Sequence, residues 1–151
     1  MEKTDFEIMF DEEYKLENLI NIFEKDSVLP EKIEDLMRYN LGTGLLFNKW
    51  LSKLGRTSIK LNQLKNKLNI IENKIKQKCR YDETFNEHRV IDKTEMLEKI
   101  ALDSEYISIR ESISKLEVIY NLLKDYVEYF KYINAKVSNQ VELIKTSLMA
   151  Y

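Results

Sequence analysis

The chain has 151 residues, enough for one domain, or one small domain joined to an extended element, and too few for two independent globular domains. One Pro, three Gly, 44% apolar and 33% charged residues leave few turns and many uninterrupted stretches, so an all-α fold is expected. The single Cys79 excludes an internal disulfide and a multi-cysteine metal cluster, and no apolar run approaches the ~18 residues of a membrane span. The N-terminus, with Glu2, Asp5, Glu7, Asp11, Glu12 and Glu13, has none of the basic and apolar character of a signal peptide, and a soluble cytosolic protein is expected.

The net charge of −2 conceals a segregation. Residues 1–35 carry twelve acids against four bases, net −8, whereas residues 53–80 carry nine bases against Glu72 alone, net +8. An A/T-rich coding bias could enrich Lys, Asn and Ile, but it would not remove acids from one window, so the basic segment calls for a functional explanation.

From Asp11 to Lys25, Leu16, Leu19, Ile20 and Phe23 recur at i, i+3, i+4, i+7 and predict a short amphipathic helix. Asp26–Leu29 reads as a connector. Pro30 is placed at the first position of a second helix, with Glu31, Glu34 and Asp35 complementing its dipole and Gly55 as its stop. The apolar side of this helix is read as Ile33, Leu36, Met37, Leu41, Leu45, Phe47, Trp50, Leu51 and Leu54, with Gly42 and Gly44 allowing close packing or a bend. Thr57 or Ser58 is then expected to cap a third helix, in which Leu61, Leu64, Leu68, Ile71 and Ile75 form the packed stripe. Lys60, Lys67, Lys74 and Lys78 border that stripe on one side, Lys65 and Lys76 on the other, and Asn62, Asn66, Asn69 and Asn73 lie on the far side.

Residues 82–93 lose periodicity and read as a loop containing His88 and Arg89. A short helix from Thr94 to Ala101 follows, and Asp103 or Ser104 can cap the longest element. From Ile109 the order Ile113, Leu116, Tyr120, Leu123, Val127, Phe130, Asn134, Val137, Val141, Ile144, Leu148 keeps a 4-3 spacing without a slip. A helix from Ser104 to Tyr151 would be roughly 70 Å long, so neighbouring subunits are expected to cover part of it. Ile119, Tyr126, Tyr129 and Ile133 widen the apolar face and favour a larger bundle or ring over a dimer. The expected division is an N-terminal helical region over residues 1–101, which holds the basic segment, and an oligomerisation helix over 102–151. The oligomerising residues would be Leu116, Tyr120, Leu123, Val127, Phe130, Val137, Val141 and Ile144.

No catalytic constellation is visible. His88 has no Cys, Ser or carboxylate pattern around it and reads as an exposed loop histidine; Cys79 reads as a small half-buried side chain, Trp50 as core, and Tyr120, Tyr126, Tyr129 and Phe130 as packing. No enzyme activity, metal or cofactor is expected. The basic segment is the site: a merely solvated face would mix acids with bases at i, i+4, and an oligomer would repeat these cations as a belt that neutralises phosphates. Lysine outnumbers arginine and no base-reading motif is present, so backbone-directed, sequence-independent binding is expected through Lys60, Lys65, Lys67, Lys74, Lys76, Lys78 and Arg80. A coiled-coil scaffold whose basic helix pairs with acidic segments of another subunit is the alternative that charge segregation also allows.

Five stretches in order give a resemblance: Leu16-Glu17-Asn18-Leu19, Asn48-Lys49-Trp50-Leu51-Ser52-Lys53, Lys78-Cys79-Arg80-Tyr81-Asp82, Lys93-Thr94-Glu95-Met96, and the long C-terminal helix. Together they resemble the UvsY family of tailed-phage recombination mediators. The resemblance implies that Lys78, Arg80, Tyr81 and Asp82 match the family pattern Lys-x-Arg-apolar-Asp in the segment that binds single-stranded DNA, and that the C-terminal helix oligomerises. It implies as partners single-stranded DNA, a phage RecA-like recombinase and a phage single-strand-binding protein, in the cytoplasm of an infected bacterial host, with the chain in a ring of about six or seven copies. This chain differs in its first fifteen residues, in a longer helix before Lys78, and in Ala135-Lys136-Val137-Ser138.

Overall fold

A computed structural model describes residues 14–82, 85 and 89–150. Among them are four helices: α1 (Leu16–Asp26), α2 (Ile33–Tyr81), α3 (Lys93–Leu102) and α4 (Ser104–Met149). The all-α expectation holds. His88 and the acids before Tyr14 lie outside the described residues.

The second and third helices expected from the sequence are one helix of 49 residues. It begins at Ile33 rather than Pro30, Gly55 does not stop it, and neither Thr57 nor Ser58 caps a new one. Glycine in a helix interior costs only about 1 kcal/mol relative to alanine, less than the packing of adjoining turns supplies. Gly42 and Gly44 do not serve close approach either, since a Cβ at either position meets nothing within 4 Å, and the same is true of Gly55. Each Gly→Ala substitution is therefore expected to raise stability by about 0.5–1 kcal/mol in urea unfolding. A loss of stability instead would mean that the glycine faces another molecule.

The chain packs as two compact units, one formed by the described residues up to Gly55 together with those from Ile119 onward, the other by Arg56–Val118. α2 and α4 each contribute a stretch to both units.

In the first unit α1 and the adjoining stretches of α2 and α4 enclose an aromatic cluster. Phe23 stacks on Tyr126 with centroids 3.7 Å apart and meets Trp50 and Phe130 edge-on. Leu19, Trp50 and Leu123 are fully buried and Phe130 nearly so. Ile133, Val137 and Val141 continue this core against Leu36, Met37 and Tyr39. The face that α2 buries differs from the one read in its sequence: Leu41 and Leu45 are 83% and 74% exposed, and Leu51 is also exposed, while Thr43, Lys53 and Thr57 are buried. Polar residues occupy core positions because they find partners there. The Thr43 hydroxyl lies 2.6 Å from Asn134 Oδ1 and 2.9 Å from the Asn40 carbonyl, and donates to one at a time. The Lys53 ammonium sits 5.1 Å from the centroid of the buried Tyr14 ring. Asn134, the polar member of the 4-3 run, thus has a mate on α2 that fixes the register of the two helices. Burial raises the phenol pKa values of Tyr39 and Tyr126 above their ordinary value, with the nearby Tyr129 and Asp26 adding to the first and Glu24 to the second.

In the second unit Ile71, Ile75 and Cys79 of α2 pack on Ile91 and Ile100, with Phe85, Met96, Tyr106 and Ile109 around them. Asp92 caps α3 by accepting from the Glu95 N–H at 2.8 Å, and Asp103 caps α4, as expected, by accepting from Tyr106 N–H at 2.8 Å. Leu61, Ile113 and Leu116 are buried in the same unit.

From Ile113 to Ile144 the 4-3 run of α4 is largely covered by its own chain, while Leu148 at its end is exposed. Leu116, Leu123, Val127, Phe130, Val137 and Val141 are buried, and Tyr120 and Ile144 are half-buried. The sequence read as two shorter helices assigned this seam to neighbouring subunits; in the folded chain these side chains are buried within their own unit, against stretches of a 49-residue α2.

Candidate nucleic-acid interface

Residues 56–81 of α2 carry the basic segment on a helix whose inward face is set by Leu61, Ile71, Ile75 and Cys79, all buried. At about 100° per residue, Lys60, Lys67, Lys74 and Lys78 fall within roughly 40° of one another along the border of that face. Seven-residue steps space Lys60, Lys67 and Lys74 about 10 Å apart along the axis, and Lys78 follows about 6 Å on. Lys67, Lys74 and Lys78 are exposed and Lys60 is half-buried. The Lys78 ammonium lies 5.9 Å from the Phe85 ring centroid, and Lys99 of α3 lies 4.5 Å from the same ring.

On the opposite border the bases stand beside carboxylates. Lys76 Nζ is 2.6 Å from Glu72 one turn earlier, and Lys65 Nζ is 3.5 Å from Glu117 of α4. Such half-exposed pairs contribute little stability, about 0–1 kcal/mol, but they lower the local positive potential on that side. Arg80 is exposed on this border, about 160° around the helix from Lys78. Tyr81 is 80% exposed at the helix end. The last residue of the Lys-x-Arg-apolar-Asp pattern shapes the backbone. Asp82 Oδ1 accepts from the Phe85 backbone N–H at 3.0 Å, turning the chain so that Phe85 packs against the core.

The other stretches that carry the resemblance are structural too. Lys49 Nζ and Trp50 Nε1 both donate to Asp26 Oδ2, at 2.7 and 3.0 Å, and so lock the end of α1. The Tyr129 hydroxyl reinforces the same corner by donating to the Ser27 carbonyl at 3.3 Å. Leu19 of the first stretch is wholly buried. In the Lys93–Met96 stretch the Glu95 N–H donates to the Asp92 cap, its carboxylate accepts from both terminal guanidinium nitrogens of Arg89, and Met96 packs on the core. Asp26 escaped the sequence reading because its partners lie more than twenty residues away and nothing in local spacing points to them.

Among the described residues no group of three or more His, Cys, Asp or Glu could hold a metal ion, and no helix is long and apolar enough to cross a membrane. An open depression beside Tyr106, Ile107, Arg110 and Glu111 mixes both charge signs.

No known family profile and no curated protein matches the sequence. Among solved structures the chain is similar to the crystal structure of the bacteriophage T4 recombination mediator protein UvsY, with a TM-score of 0.69 at 14% sequence identity. The match covers 89% of this chain and 98% of that one, and the two proteins share a fold.

Proposed function

We propose that this chain is a non-catalytic recombination mediator that binds single-stranded DNA through its phosphate backbone and promotes loading of a RecA-like recombinase onto strands covered by single-strand-binding protein. The carrying observation is the exposed line Lys67, Lys74 and Lys78, with Arg80 across the helix, on a fold shared with a phage recombination mediator. Flexible ammonium groups spaced along a rigid helix neutralise phosphates without reading sequence. The protein works as a homo-oligomer, a ring of about six or seven copies, because several weak sites on one particle hold a strand through effective concentration. Since the 4-3 seam is spent within the chain, assembly draws on apolar side chains left exposed, such as Leu41, Leu45, Tyr132 and Leu143. The cytoplasm of an infected bacterium is the compartment where such partners meet.

Binding measured against ionic strength tests this reading. The log–log salt slope for Lys78→Ala/Arg80→Ala should fall by about 1.4 per engaged subunit, near 0.7 for each phosphate no longer neutralised, with helicity unchanged. On covered strands the intact protein should stimulate recombinase ATP hydrolysis and hydrolyse none itself. Absence of stimulation with the cognate partners would overturn the mediator reading even if DNA binding survived.

A further inference from the structure

The charged side chains of residues 53–80 avoid one row of α2. Ile59, Gln63, Asn66, Ile70, Asn73 and Gln77 follow one another at steps of three and four, and all are exposed or partly so. Ile59 is 61% and Ile70 54% exposed. They form a strip opposite the buried Leu61, Ile71 and Ile75, about a quarter turn from the lysine line. Lys60, Lys67, Lys74 and Lys78 border the strip on one side, Arg80 stands on the other, and the exposed Tyr81 closes its end.

A solvated helix face in a chain that is 33% charged ordinarily carries charge, because it costs nothing there. This strip instead combines aliphatic surface with amide donors and acceptors and is fenced by cations. That is the chemistry of a nucleobase, with an apolar face and a polar edge, lying beside its own phosphate. The lysine line cannot by itself favour single strands, since duplex DNA presents the denser charge. A duplex keeps its bases paired inside, whereas a single strand can turn them sideways onto a surface beside its phosphates. A second copy of this chain suits the strip less well, because it would bring its own lysine line against the first.

We propose that the strip Ile59, Gln63, Asn66, Ile70, Asn73 and Gln77, with Tyr81 at its end, is a base-contact surface that makes this helix select single strands over duplex. Phosphates follow the lysine line while the unstacked bases rest on the strip, without hydrogen-bond patterns that would specify sequence. The inference rests on the single-strand binding proposed above.

The test compares three probes of equal length: an oligothymidylate, an abasic strand with the same phosphates and sugars, and a duplex. The wild-type protein should bind the oligothymidylate about tenfold or more tightly than the abasic strand. Ile59→Ala/Ile70→Ala/Tyr81→Ala should bring the oligothymidylate close to the abasic strand and the duplex while leaving the salt slope unchanged, because no cation is removed. Alanine favours helix and the three side chains are exposed, so circular dichroism should be unaltered. Ile70→Ala alone should lose part of the preference. Equal wild-type affinity for oligothymidylate and abasic strand, with a normal salt slope, would overturn the base contact and leave backbone binding standing. No salt-dependent binding to any probe would overturn both. A triple variant that sediments at lower mass would make the strip a self-association face and overturn the proposal as well.

Discussion

Phe130→Asp is expected to unfold the chain, not merely to separate subunits. Phe130 is 1% exposed and touches Phe23, Trp50 and Tyr129, so the substitution removes a ring from the centre of the aromatic cluster. Truncating a buried Phe costs about 3–5 kcal/mol, and an unpaired carboxylate in the same place adds several more. A total near 5–15 kcal/mol is all that a domain has, so far-UV circular dichroism should show the helices lost or a urea midpoint near zero. A variant that kept full helicity but sedimented as a smaller species would locate the cluster between subunits and contradict the intrachain seam.

Reversing the lysine line should have the opposite profile, with the fold kept and binding abolished. Lys67→Glu/Lys74→Glu/Lys78→Glu lowers the net charge of residues 53–80 from +8 to +2 at three exposed positions. Each phosphate left without its lysine keeps its counterions, and each new carboxylate repels the strand. Affinity for a labelled oligonucleotide should therefore fall by on the order of a hundredfold or more at low salt. Fluorescence anisotropy measures the affinity and circular dichroism checks the fold. Unchanged affinity in a folded variant would remove the lysine line from the proposed interface, and the structural likeness would then support the fold alone.

Local rules of sequence settled a large part of this protein. Scarcity of Gly and Pro dictated helices. The 4-3 run placed Leu123, Val127, Phe130 and Val137 on one buried face, and Asp103 was legible as a cap because a cap is made by residues three apart. Charge segregation marked the basic segment, and the order of the resembling stretches pointed to the fold that the structural likeness bears out.

Other features depended on residues far apart in the chain. Periodicity records that a face is buried but not whose side chains bury it, and only the fold shows α2 as one long helix through Gly55. The glycine signal was overruled because its cost of about 1 kcal/mol is local, whereas the burial on either side is summed over many turns. The same limit hid the Asp26 anchor of Lys49 and Trp50, the Thr43–Asn134 pair that lets polar residues replace leucines in the core, and the Glu117 partner of Lys65. Sequence determined which residues are charged, apolar or helix-forming. Tertiary structure alone decided which of them find partners within the chain, because that depends on distances that only the folded backbone sets.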